Sequence, residues 1–176
     1  MRIGEINNTL KPSVPYLEYY GANLTIVLGF PDWNNIMWSV EQVCTSDFTY
    51  ESDGSTGGIR IQTTGIYRLD LELGFDCTPA GGNVLVMTRI LNNGSELIGS
   101  RSCGLSYYLQ LNSSKTVYLK KGDIITTEFQ TTDDTIFIMD INEPDEIYSR
   151  FRITFIPFGG FNNGFGGNII NRGIRR

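Results

Sequence analysis

Two clusters of carboxylates are the residues of this chain best placed for acid–base or metal chemistry. The first cluster is the pair Asp133-Asp134, and the second contains Asp140, Glu143, Asp145 and Glu146. Neighbouring carboxylates can act as the acid and base of a glycosidase or as oxygen ligands for Ca²⁺. Neither cluster has the Asp-x-Asp-x-Asp-Gly spacing of a calcium loop. We interpret both as acidic surface loops, with those two roles as alternatives, and we expect no bound metal.

Composition excludes several other catalytic arrangements. The 176 residues include no histidine, which removes Ser-His-Asp and Cys-His nucleophile systems and every His-ligated metal. Glycine pairs occur at 57–58, 81–82 and 159–160, but they lack the flanking Lys of a phosphate-binding loop. We therefore expect a protein that is not an enzyme and that holds no cofactor.

The three cysteines, Cys44, Cys77 and Cys103, form an odd set without C-x-x-C spacing. A disulfide framework usually has an even number of cysteines, and a zinc site needs more ligands. The first residues lack the apolar core of a secretory signal, and no run of 18 apolar residues occurs. We predict reduced thiols from a reducing compartment, with a Cys77–Cys103 bond as the exception to test.

Four aromatic residues could line a carbohydrate site: Trp33, Trp38, Tyr107 and Tyr108. Such residues more often fill a sandwich core or a contact between subunits, and we favour that interpretation. A sugar site remains the alternative.

The composition favours β-structure as the frame for all of these residues. The chain has 20 Ile and 16 Thr but only 2 Ala, and β-branched side chains fit a pleated sheet better than a helix. Residues 66–75 alternate strictly, which predicts a half-buried strand whose inner face carries Tyr67, Leu69, Leu71, Leu73 and Phe75.

Turn signals divide the rest of the chain into short strands. Asn93-Gly94 predicts a tight hairpin, and Lys121-Gly122-Asp123 predicts a second turn. Residues 33–43 fit either a strand or a helical turn. Further strands are predicted at 23–30, 48–51, 59–61, 83–92, 97–100, 107–111, 116–119, 124–129, 135–139 and 151–158.

The chain divides into three segments. Residues 1–22 are predicted to form an extended N-terminal arm, because Pro12 and Pro15 force an open path. Residues 23–158 form the β-domain, and residues 159–176 form a tail rich in Gly, Asn and Phe. We expect the two ends to anchor the protein to a partner through Tyr16, Tyr19, Tyr20, Phe161, Phe165, Arg172, Arg175 and Arg176.

Charge is spread unevenly along the chain. Residues 1–146 hold nine Lys or Arg and all 19 Asp or Glu, whereas residues 147–176 hold five Arg and no acid. The acidic bulk argues against a nucleic-acid partner. The basic end could pair with an acidic protein surface, or it could be a solvated tail.

Three segments carry a family pattern in a fixed order. The first contains Phe48, Gly58-Ile59 and Gly65-Ile66-Tyr67-Arg68-Leu69; the second is Val84-Leu85-Val86-Met87 followed by Leu91-Asn92-Asn93-Gly94; the third is Val117-Tyr118-Leu119 followed by Gly122-Asp123-Ile124-Ile125. A closing strand follows at Ser149-Arg150-Phe151-Arg152-Ile153. This order resembles the tumour-necrosis-factor and complement globular-head superfamily, although that family usually has Gly at the position of Ile153.

The resemblance implies an all-β fold, an antiparallel jelly-roll sandwich that assembles as a threefold trimer. It implies that the core and the trimer interface draw on Tyr67, Leu69, Leu71, Tyr118, Phe151 and Phe155. Of these, Tyr118, Phe151 and Phe155 are the candidates to hide the second face of the inner sheet at the axis. No collagen-like Gly-x-y stalk precedes the domain.

From these observations we expect a virion structural protein, a trimeric capsid decoration or head-fibre protein of a bacteriophage or large DNA virus. Its partners would be its own copies and other virion proteins, and no membrane contact is expected. The lack of a signal fits assembly in a host cytoplasm and location in the virion. The alternatives are a receptor-binding fibre tip that recognises host glycans and a bacterial surface or spore-coat head.

Overall fold

The computed structural model describes residues 15–22, 32–52, 56–77, 84–104, 108–132, 137–138 and 149–157. These residues form strands and turns, so the predicted all-β class is confirmed. They include no helix that is long and apolar enough to span a membrane. The strands of the described residues are β1 (Tyr16–Ala22), β2 (Asn34–Asn35), β3 (Trp38–Cys44), β4 (Phe48–Ser52), β5 (Gly57–Ile61), β6 (Gly65–Asp76), β7 (Val84–Asn92), β8 (Ser95–Gly104), β9 (Tyr108–Leu119), β10 (Ile124–Thr131), β11 (Phe137–Ile138) and β12 (Arg150–Ile156).

The strands form two antiparallel sheets. Sheet A has the order β9, β6, β12, β1, β3, and β11 pairs with the end of β6. Sheet B has the order β4, β5, β10, β7, β8, and β2 pairs with β10. Several neighbours, such as β6 and β12, are far apart in the sequence, as in a jelly-roll sandwich.

The core lies between the two sheets and follows the alternation of β6. Tyr67, Leu69, Leu71, Leu73 and Phe75 all point toward sheet B, and each is at most 1% exposed. Sheet B contributes Ile59, Ile61, Val86, Ile90, Ile125 and Phe129 to the same core. This confirms the inner face predicted for residues 66–75.

Two large aromatic residues of this core, Trp38 and Tyr67, have their polar groups hydrogen-bonded. Trp38 stacks against Phe151 with ring centroids 5.9 Å apart, and its Nε1 donates to Oγ1 of Thr127 across the sandwich at 3.0 Å. The hydroxyl of Tyr67 donates to the carbonyl of Thr63, and burial raises the pKa of Tyr67 to about 12. Trp38 opens β3, so the C-terminal part of residues 33–43 is a strand.

Both predicted turns are present where the sequence places them. Asn93 and Gly94 have positive φ angles of 49° and 79°, as a two-residue hairpin between β7 and β8 requires. Gly122 has a φ of 94° in the turn before β10. A side chain at these two glycines would strain the backbone, which explains the residue type.

Asp123 ties these two turns together. Its carboxylate accepts hydrogen bonds from the Lys120 backbone at 2.9 Å, from Asn92 Nδ2 at 3.2 Å and from Asn93 Nδ2 at 2.9 Å. Burial acts to raise the pKa of Asp123, but the hydrogen bonds outweigh burial and hold the pKa below its usual value. The second and third segments of the family pattern therefore meet at this carboxylate.

Residues 16–22 differ from the predicted arm. They form β1 inside sheet A, between β12 on one side and β3 on the other. Leu17 is 0% exposed and Tyr19 is 3% exposed, so both belong to the core. The prediction of an external arm is wrong for this segment, because backbone pairing on both edges incorporates it into the sandwich. Residues 1–14 lie outside the described residues.

Other strand predictions differ in extent. The two strands predicted at 107–111 and 116–119 are one strand, β9, because β6 pairs with β9 over its whole length. The strand predicted at 97–100 extends to Ser95–Gly104. The strand predicted at 23–30 lies outside the described residues.

Candidate assembly face

The outward side of sheet A, which we call the outer face, is the candidate functional site. Strand register aligns its side chains in rows across β9, β6 and β12, and the first row contains Tyr118, Ile66 and Ile156. The second row contains Thr116, Arg68 and Thr154; the third contains Ser114, Asp70 and Arg152, with Glu18 of β1; the fourth contains Asn112, Glu72 and Arg150.

Large apolar side chains are exposed on this face. Tyr118 is 56% exposed and Ile156 is 37% exposed in the first row, and Tyr108 is 45% exposed at the other end of β9. Within the described part of the chain, these are all of the exposed large hydrophobic residues. Their concentration on one sheet face is typical of a contact surface.

Ion pairs fill the middle rows. Glu72 accepts two hydrogen bonds from Arg150, both at 2.7 Å, and a third from Arg152 at 3.2 Å. Arg68 Nε lies 2.9 Å from Asp70 Oδ1. Arg152 Nε is buried without a hydrogen bond, and a carboxylate oxygen of Glu18 lies 4.0 Å from it.

The charges of these rows balance. Three arginines stand beside three carboxylates, those of Glu18, Asp70 and Glu72. A second copy of the same face can therefore approach without net repulsion. A hollow of about 290 Å³, lined by Arg68, Asp70, Glu72, Asn112, Ser114 and Arg152 among others, gives the centre of the face a concave shape.

The residues predicted for the core and trimer interface separate into two groups. Tyr67, Leu69 and Leu71 are in the core. Phe151 pairs with Leu71 and is 0% exposed, and Phe155 packs edge-on against Tyr67 with centroids 5.3 Å apart. Phe151 and Phe155 therefore point inward, and the prediction that they hide the second face is wrong.

Tyr118 is the member of the predicted set that points outward. Its register partner on β6 is Ile66, which alternates with the inward residues of that strand, so the ring of Tyr118 points away from sheet B. Of the three side chains predicted to lie at the trimer axis, only Tyr118 is on the outer face.

The residues predicted to anchor a partner do not lie together on an external surface. Tyr19 packs against Tyr50 in the core, with ring centroids 5.3 Å apart, so it cannot anchor an external partner as predicted. Tyr16 is half-buried, and its hydroxyl donates to Glu18 at 2.7 Å. The backbone of Tyr20 pairs with Arg150 within sheet A. The remaining predicted anchors lie outside the described residues: Phe161, Phe165, Arg172, Arg175 and Arg176.

The four aromatic residues considered for a sugar site do not converge. Trp38 is in the core, Tyr108 is on the outer face of sheet A, and Trp33 lies beside sheet B. Tyr107 lies outside the described residues, as do the carboxylate clusters at 133–134 and 140–146. In the described ranges, no group of three or more His, Cys, Asp or Glu could hold a metal ion.

Neither Cys77, which is buried, nor Cys103, which is exposed, is part of a disulfide bond. The Cys77–Cys103 bond considered from the sequence is therefore not formed. Only the backbone of Cys44 is described, in β3 opposite Leu17.

The ion pairs of the outer face were missed by sequence reasoning. The strict alternation of residues 66–75 places Arg68, Asp70 and Glu72 on the face opposite Tyr67, but it indicates no partner for their charges. The sequence did contain a signal for these ion pairs, because charged residues alternate along both β6 and β12. Only the pairing of β6 with β12 shows that Glu72 stands opposite Arg150.

Comparisons with known proteins bear on the fold. No family model and no curated protein matches the sequence. Three crystal structures of murine APRIL, a TNF-family protein, are similar to the chain. The APRIL structure at pH 5.0 has 16% sequence identity and a TM-score of 0.59, and the match covers 81% of this chain and 99% of the APRIL chain.

The other two APRIL structures give similar values. At pH 8.0 the identity is 15% and the TM-score 0.54, and at pH 8.5 they are 16% and 0.52; both cover 80% of this chain and 99% of that chain. The chain has a TNF-like jelly-roll fold. The resemblance read from the sequence is thus confirmed for the fold.

Proposed function

We propose that this chain is a homotrimeric virion structural protein, a capsid decoration or head-fibre protein that assembles through the outer face of sheet A. The observation that carries the proposal is the first row of that face, where Tyr118 and Ile156 are exposed beside Ile66. The TNF-like fold supports a threefold arrangement.

A threefold axis that runs along the strands brings equal rows of three copies together. The first rows then form a closed apolar ring of Tyr118, Ile66 and Ile156, removed from water. Rows two to four meet rows of the same composition, and their charges balance as a set because Arg68 of the second row pairs with Asp70 of the third. Burying ion pairs is favourable only when each charge keeps a partner, and Glu72 already binds both Arg150 and Arg152.

Light scattering of the full chain at micromolar concentration tests the trimer. We expect a mass of three chains for the unmodified protein and a shift to monomer for Tyr118→Arg, because three guanidinium groups would meet at the axis. Thr49→Arg is the matched control, since Thr49 is exposed on sheet B. A monomeric unmodified protein, or a Tyr118→Arg variant that stays trimeric, would contradict the assignment of this face.

The virion setting rests on the sequence. The tail 159–176 combines Phe161, Phe165 and three arginines with no acid, a composition suited to an acidic shell protein. Deletion of residues 159–176 should leave the oligomer intact and remove it from purified particles. Antibody labelling of those particles locates the full chain. If the antibody instead labels a bacterial or spore surface, the bacterial alternative is favoured. If the protein without residues 159–176 is still present on particles at its normal level, the tail is not the anchor.

A further inference from the structure

A hollow on sheet B lies on the side of the sandwich opposite the proposed assembly face. Its volume is about 380 Å³, and it is lined by Trp33, Met87, Arg89, Glu96, Gly99 and Arg101, with Thr88 and Ser100. Sheet B faces away from the proposed threefold axis, so this hollow stays open to solvent in the assembly. None of its charged residues takes part in the ion pairs of the outer face.

Gly99 keeps the floor of the hollow open. It stands directly opposite Arg89 in the pairing of β7 with β8. A Cβ at this position would lie 3.1 Å from the carbonyl oxygen of Thr88 and 3.2 Å from a carboxylate oxygen of Glu96. A larger residue would therefore fill the space and press on both neighbours.

Arg89 is held in place before any ligand arrives. Its guanidinium lies 3.9 Å from the ring centroid of Trp33, and its Nε and Nη2 donate to Glu128 at 2.8 Å and 2.6 Å. Its Nη1 lies 4.0 Å from Glu96, beyond hydrogen-bond distance. A guanidinium fixed in this way loses little side-chain entropy when it binds a further acceptor.

Arg101 supplies a second guanidinium. It is exposed and stands opposite Met87 on the same sheet face. Among the described residues, no carboxylate forms an ion pair with Arg101. The hollow thus offers guanidinium donors to a carboxylate and apolar surface from Met87 and Trp33.

Glu96 selects among anions. Its carboxylate is 54% exposed at the rim and can accept hydrogen bonds from hydroxyl groups, and it repels a doubly charged phosphate more strongly than a singly charged carboxylate. A ligand with one carboxylate, several hydroxyls and a C–H face matches all of these groups. We propose that this hollow binds a carboxylated monosaccharide unit, such as the uronic acid of a glycan. This goes beyond the structural role proposed above and depends on one chain only.

The test is a titration of the full chain with D-glucuronate, followed by amide chemical shifts. We expect saturable shifts at Gly99 and Arg101 and at the Trp33 indole N–H. D-glucose, which lacks the carboxylate, and acetate, which lacks the ring, should each bind at least tenfold more weakly. Arg101→Gln should weaken glucuronate binding at least tenfold, and Gly99→Ser should do the same by filling the hollow.

Arg60→Gln is the matched control, because Arg60 is an arginine of the same sheet that pairs with Glu51 outside the hollow. It should bind glucuronate as the unmodified chain does. Absence of saturable glucuronate binding, equal binding of acetate, or unchanged binding by Arg101→Gln would each overturn the proposal. A monomeric chain that binds glucuronate would refute the trimer and leave this site standing.

Discussion

Removal of the Asp123 carboxylate should destabilise the protein more than removal of any ordinary surface acid. Asp123→Ala deletes the acceptor of three hydrogen bonds, from the Lys120 backbone and from the side chains of Asn92 and Asn93. Asn93 is further tied to β10, since the backbone N–H of Ile124 donates to its Oδ1 at 3.0 Å. The substitution therefore loosens two turns at once.

The magnitude follows from the number and exposure of these bonds. Each is worth about 1 kcal/mol net, because two of the three are exposed and the freed donors can bind water. We expect the free energy of unfolding to fall by about 2–3 kcal/mol. For a chain of this size, the melting temperature should drop by about 4–12 °C.

The effect should depend on pH in a definite direction. The pKa of Asp123 is lower in the folded protein than in the unfolded chain, where an aspartate titrates near about 3.9. Its stabilisation is therefore fully present above that value and is lost as the pH falls through the lower folded pKa. The difference between the unmodified chain and Asp123→Ala should shrink below about pH 4.

Urea unfolding at fixed protein concentration, at pH 7 and pH 3, measures both effects. Glu96→Ala is the control, because Glu96 is 54% exposed and its nearest described cation lies 4.0 Å away. We expect that control to change stability by less than about 0.5 kcal/mol. A loss below about 0.5 kcal/mol for Asp123→Ala at pH 7, or a loss that is the same at pH 3, would refute the account of the turn network.

Three further predictions concern the core and the thiols. Thr127→Val should cost about 1–3 kcal/mol in urea unfolding, since it leaves the buried Trp38 indole N–H without its acceptor; an unchanged midpoint would contradict this. Ellman's reagent followed by peptide mapping should modify Cys103 in the folded protein and Cys77 only after unfolding, and equal rates would refute the burial of Cys77. Tyr67→Phe should remove the ionisation near pH 12 from an absorbance titration at alkaline pH. Because that pKa is raised, Tyr67 opposes folding as the pH rises above about 10, and an identical titration of the variant would exclude the assignment.

Local chemistry was sufficient to predict several of the strands and both of the turns described above. The alternation of residues 66–75 placed Tyr67 and Phe75 on one face, and the structure buries both. Asn93-Gly94 predicted its hairpin because both positions need a positive φ, a property of the residues themselves. The family pattern consists of such local signals in a fixed order, and that order predicted the jelly-roll fold.

Tertiary structure alone decided which way β12 faces and which strands meet. Alternation shows that Phe151 and Phe155 share a face, but only their pairing with Leu71 and Tyr67 shows that this face is the core. Residues 16–22 carry no period that distinguishes a strand from an arm, and they became β1 because β12 and β3 flank them. The row of Tyr118, Ile66 and Ile156 unites residues up to 90 positions apart, so strand register creates it and no local window of sequence contains it.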